Sequence, residues 1–197
     1  MNPDLPTYVA GLDPSSAKLT VVGGYTDTDV VDLEACRLVG TDLAEKCVDA
    51  FEWLTEFIAE HSTADNNLFI AIEAPVIGRG GPGSTIPQAI VHGALLAAGA
   101  AQRVENITVV QSNNQHWKKS IVGRGNANKD DIAIWVRDEH PDFFERVRSY
   151  SPRKLERVDQ DALDAFCIRL DACKTVSIRQ RIDLNKTRVR REYRGTL

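Results

Sequence analysis

The sequence predicts an α/β layered fold built on a mixed five-stranded sheet. Three observations lead there. Three short strand-like segments with turn residues between them occupy the first forty positions, which favours an antiparallel meander. Amphipathic helical stretches then alternate with short apolar runs, as in parallel strands joined by crossovers. Two of the apolar runs end in a carboxylate, and sites in such sheets form beyond the carboxyl ends of central strands.

The first strand is expected over Thr7–Asp13, a buried run closed by an acid. Lys18–Gly23 and Val30–Val39 follow as strands, with Gly23-Gly24 and Asp27-Thr28 supplying turn chemistry. From Asp42 to His61, Leu43, Cys47, Phe51, Leu54 and Ile58 recur at helical spacing. Asp42 and Glu45 fit a capping box. Leu68–Glu73 is nearly all apolar and reads as a central strand covered on both faces. A glycine-rich loop, Val76–Thr85, precedes a helix from about Ile86 to Arg103. The loop lacks the lysine of a nucleotide-binding P-loop. A last strand spans Ile107–Gln111. A short helix capped by Ser112 and Gln115 then runs to about Val122, and another covers Asn128–His140. Pro141–Arg157 is charged and carries no clear pattern, and Asp159–Lys174 reads as the final helix.

The 197 residues suit one domain, 1–174, and a basic tail, 175–197. The formal net charge of −4 argues against a polyanion partner, but its distribution argues for one. From Lys174 to the end, eight basic residues face only Asp183 and Glu192, a net +6, which leaves −10 on the rest. No apolar run is long enough to span a membrane. The N-terminus has no signal-peptide pattern, so the expected location is the cytoplasm. Four cysteines without a Cys-x-x-Cys pair argue against a zinc ribbon and are expected to be reduced and mostly buried.

The carboxylates carry the chemistry. Asp13 and Glu73 close two central strands, where a buried charge is costly unless paired or bound to metal. Asp161 and Asp164 are three apart and share one helix face. A divalent cation would offset their repulsion. Hard cations such as Mg²⁺ take oxygen ligands, and two of them held by three or four carboxylates serve phosphodiester cleavage. Asp159 and Asp161 also fit helix-start chemistry, and Asp159 is an alternative ligand to Asp161.

Four stretches in order, Val9-Ala-Gly-Leu-Asp13-Pro-Ser-Ser, Phe69-Ile-Ala-Ile-Glu73, His116–Lys129 and Asp161-Ala-Leu-Asp164-Ala, resemble the RuvC-type Holliday junction resolvases of the RNase H-like superfamily. The resemblance covers about Tyr8 to Cys173. It implies a structure-selective endonuclease using two Mg²⁺ ions, with Mn²⁺ as substitute, held by Asp13, Glu73, Asp161 and Asp164, with Asp13 bridging. It implies that Lys118 and Lys129 work at the scissile phosphate, and that a homodimer meets a branched, four-way DNA. Arg79, Lys118, Lys119, Arg124 and Lys129, with Arg188, Arg190 and Arg191 of the tail, are the expected DNA contacts. An aromatic found shortly after the glutamate in some relatives is replaced by Ala74-Pro75-Val76, a departure that suits a phage member. Two other readings stay open: a nuclease for flaps, forks or RNA–DNA hybrids, and a nuclease-dead junction binder.

Overall fold

A computed structural model of the chain describes residues 1–76, 81–102, 104–150 and 158–194, with the backbone alone for 84, 149, 150 and 183–194. The strands are β1 (Thr7–Pro14), β2 (Lys18–Tyr25), β3 (Asp32–Arg37), β4 (Asn67–Glu73) and β5 (Ile107–Ser112). The helices are α1 (Leu43–His61), α2 (Pro82–Ala101), α3 (Asn114–Ile121), α4 (Lys129–Glu139), α5 (Pro141–Tyr150) and α6 (Gln160–Arg194). The strands form one sheet in the order β3-β2-β1-β4-β5. β1 pairs antiparallel with β2 and parallel with β4; β2–β3 is antiparallel and β4–β5 parallel. The mixed sheet expected from the sequence is therefore present.

Strand alternation sorts the core into two layers. Tyr8, Ala10 and Leu12 of β1 and Leu68, Ile70 and Ile72 of β4 face α1 and α2, packing on Leu54, Ile58, Val91 and Leu95. Val9, Phe69 and Ala71 face the other way, onto Trp117, Ile132, Phe166 and Ile168 of α3, α4 and α6. Every residue of β4 is buried, as a parallel strand covered on both faces requires. The same alternation turns Asp13 and Glu73 toward α6.

Gly11 sets the distance between sheet and helix. A Cβ there would overlap the Ala165 carbonyl oxygen and the Arg169 backbone nitrogen. The missing side chain lets α6 lie directly on β1.

The elements differ from expectation in five places. α2 begins at Pro82 rather than Ile86, because Gly81 takes a positive φ and proline suits the first helical turn. The cap of α3 is Asn113, whose side chain accepts the His116 N–H, while Ser112 still belongs to β5. The Glu45 carboxylate takes its closest hydrogen bonds from the Thr41 N–H and hydroxyl, with the Asp42 N–H a smaller contributor, and Asp42 caps α1. The charged stretch after Pro141 is helical to Tyr150, with Phe143 and Val147 buried one turn apart. α6 continues past Lys174 to Arg194. Of the four cysteines only Cys167 is fully buried, and all four are free thiols. Among the described residues no helix is long and apolar enough to cross a membrane.

Candidate active site

β1 and β4 lie side by side in parallel, so their final acids, Asp13 and Glu73, emerge together. α6 starts beside them and brings Asp161 and Asp164 in its first two turns. The sequence-predicted carboxylates therefore converge from three elements.

Their environments differ. Burial pushes the Asp13 carboxyl well above the usual range, and the charges of Glu73, Asp164 and Asp161 add to it. A hydrogen bond with Glu73 acts in the same direction. Asp164 is pushed up to about 6, first by burial; the Gln160 amide, 2.9 Å away, opposes the rise. Glu73 raises Asp164 further, while Lys118 and Lys129 pull it down. Both predicted lysines thus stand in the field of the site. Lys118 is half-buried and its ammonium lies over the Trp117 ring, whereas Lys119 is exposed.

Glu73 is buried and anchored from α3. Its Oε1 accepts hydrogen bonds from Asn114 Nδ2 (2.6 Å) and Trp117 Nε1 (2.9 Å). Asn114 was not foreseen; its signal was a position at the start of a helix two residues after a strand. Trp117, a neighbour of Lys118, is fully buried. Lys18 was also missed. Its ammonium lies 2.9 Å from Asp159 and 3.2 Å from Asp161, pinning the start of α6 to the start of β2. Burial lowers the Lys18 pKa, but the hydrogen bond and charge of Asp159, then those of Asp161, outweigh this and raise it.

Among the described residues no group of three or more His, Cys, Asp or Glu side chains is arranged to hold a metal ion. Each acid is turned to a protein partner instead: Asp13 and Glu73 to each other, Asp164 to Gln160, Asp161 to Lys18. The donor set nevertheless suits a hard divalent cation. It is all oxygen, its charges repel, and the Thr20 hydroxyl, opposite Asp13 in the sheet, is buried without a partner.

Other predicted DNA contacts fall around this centre or outside it. Arg124 is exposed and paired with Asp131 at 2.6 Å. Arg79 lies outside the described residues. Arg188, Arg190 and Arg191 lie on the far part of α6, where the backbone alone is described.

The architecture has close counterparts among solved structures. Thermus thermophilus RuvC in complex with Holliday junction substrate matches with a TM-score of 0.57 at 16% identity, over 83% of this chain and 90% of that one. The fold is that of RuvC. A second Thermus thermophilus RuvC structure gives a TM-score of 0.53 with the same identity and coverage. The yeast mitochondrial Holliday junction resolvase Ydc2 gives 0.52 at 14% identity, over 82% of this chain and 76% of that one. No protein-family model and no curated protein matches the chain. The RuvC, RNase H-like fold expected from the four motifs is thus present, at an identity that speaks for architecture alone.

Proposed function

We propose that the chain is a metal-dependent, structure-selective endonuclease that resolves four-way and other branched DNA. One observation carries the reading: on a RuvC fold, Asp13, Glu73 and Asp164 converge beside two lysines that only partly offset their charge. A binding module gains nothing from negative charge concentrated where phosphate must come.

Asp13, Glu73, Asp164 and Asp161 are the proposed ligands of two Mg²⁺ ions, replaceable by Mn²⁺. When bound, such ions supply an activated water and neutralise charge on the departing oxygen. The chain's own residues do the positioning. Asn114 and Trp117 hold the Glu73 carboxylate in one orientation. Gln160 does the same for Asp164. Lys118 and Lys129 face the phosphate and stabilise the charge that grows on it in the transition state. The basic segment of 175–197 contacts DNA away from the cut.

A second copy supplies the second cut, since a four-way junction has two-fold symmetry. The outer stripe of α2 suits that contact: Ile86, Ile90, Gly93 and Ala97 are exposed in one row. Ala98 and Gly99 of the same helix serve the core instead, with Gly99 against Val109.

The test compares wild type with Asp13→Asn on a four-way junction, a flap and an RNA–DNA hybrid, with and without Mg²⁺. The expected outcome is Mg²⁺-dependent junction cutting, lost by at least 10³-fold in the variant, with junction binding retained. Normal cutting by the variant would sink the ligand assignment. A preference for flaps or hybrids would redirect the substrate reading.

A further inference from the structure

We propose that Lys18 is a built-in counter-ion that offsets the charge of Asp161 at the metal centre and thereby makes the two cation positions unequal. The inference rests on the metal-dependent reading above and names a positioning residue within it.

The four acids fall into two electrostatic groups. Asp13 is buried among the charges of Glu73, Asp164 and Asp161, Asp164 also feels Glu73, and Lys118 and Lys129 only partly relieve Asp164. Asp161 is different. It is 44% exposed and already has a cation, the Lys18 ammonium at 3.2 Å. A divalent ion at the first group meets carboxylates with no ammonium bonded to them among the described residues. An ion needing Asp161 must first displace an ammonium of the same sign.

Lys18 is held in place for this. Ser15 ties down the turn after Asp13: its N–H and hydroxyl donate to the Lys18 carbonyl at 2.8 and 3.0 Å, and its Oγ accepts the Lys18 N–H at 2.9 Å. The turn joins Asp13 to Lys18 through four intervening residues and ties the two positions to one braced segment. Asp159 takes the shorter bond to the same ammonium, at 2.9 Å, and its other oxygen accepts the Asp161 N–H. The Lys18–Asp159 pair thus positions the ammonium, and Asp161 is the carboxylate it holds in reserve.

The consequence is a strong first cation at Asp13, Glu73 and Asp164 and a weaker second one that needs Asp161. Mn²⁺ uptake by the full-length protein, followed by calorimetry and by the electron paramagnetic resonance signal of free Mn²⁺, tests it. Wild type is expected to bind one ion at least tenfold more tightly than the second. Lys18→Met is expected to tighten the second ion about tenfold and leave the first within twofold, since removing a unit charge a few ångströms away is worth about one decade at protein surfaces. Lys18→Arg should restore the wild-type inequality, and Lys18→Met with Asp161→Asn should lose the gain. Should the methionine variant not fold by thermal melting, Lys18→Gln answers the same question. An unchanged isotherm in the folded variant, or loss of both ions, overturns the proposal and makes Lys18 a structural brace. No Mn²⁺ uptake by wild type overturns the metal reading itself.

Discussion

Asp164 shows how much electrostatic stress the site stores at the level of a single side chain. Its carboxyl is raised to about 6 against an ordinary value of 3.8, chiefly by burial. A carboxyl raised on folding stabilises the protein fully below its unfolded value, and that stability is lost as pH rises through the folded value. The metal-free protein is therefore expected to be more stable at pH 4 than at pH 7.5 as far as this group is concerned, by roughly 2 kcal/mol. Asp164→Asn should remove most of that dependence, raise the melting temperature at pH 7.5 in chelator, and abolish cutting. Thermal melts of both proteins across that range check it; an unchanged pH slope in the variant would contradict it. At this scale the sequence disclosed Asp13, Glu73 and Asp164, because an acid at the end of an apolar strand or inside an apolar helix stands out locally. It did not disclose Lys18 or Asn114. Lys18 meets Asp159 across 141 positions, and Asn114 meets Glu73 across 41, so no local pattern marks either.

β1 and α6 meet at Gly11, and that contact governs how well the acids register. Adding one methyl, Gly11→Ala, drives a side chain into the α6 backbone at Ala165 and Arg169, neither of which can yield as a flexible side chain would. The expected cost is about 2–3 kcal/mol of folding free energy, read by urea denaturation. A weakened first Mn²⁺ site should accompany it, because Asp164 precedes Ala165 directly. A loss of stability below 0.5 kcal/mol would show that the layers separate more easily than their spacing implies. Helix and strand positions were largely legible from periodicity, since burial dictates it. Boundaries failed where local backbone chemistry decided instead: Gly81-Pro82 started α2 early, and Asn113 took the capping role from Ser112. The stretch after Pro141 hid its helix because charged residues dilute a two-residue apolar face, Phe143 and Val147.

Across the whole molecule the acidic body and the basic end of α6 divide the charge. Part of α6 beyond 174 belongs to the core: Val176 is buried, Gln180 donates to the Thr7 hydroxyl, and Arg179 lies over the Phe69 ring. A truncation that tests the tail alone therefore ends at Ile182. It removes Lys186, Arg188, Arg190, Arg191 and Arg194 together with Asp183 and Glu192. Junction affinity is expected to fall at least tenfold at about 0.1 M salt, and the dependence of log affinity on log salt to flatten by roughly 2–4 units, with Mn²⁺ uptake unchanged. An unaltered salt slope would remove the tail from the DNA-binding surface. Composition alone disclosed this charge asymmetry, but not that one helix joins it to the site, since nothing in the sequence after Lys174 favours helix over a solvated coil. That single helix has a mechanical meaning. From Gly11 under Ala165 and Arg169 to Thr7 at Gln180, α6 is clamped along the sheet, and only its last stretch, Arg181 to Arg194, about 20 Å at 1.5 Å per residue, runs on beyond these contacts. Under the nuclease reading proposed above, so long a clamp is expected to insulate Asp161 and Asp164 from any pull on the outer stretch.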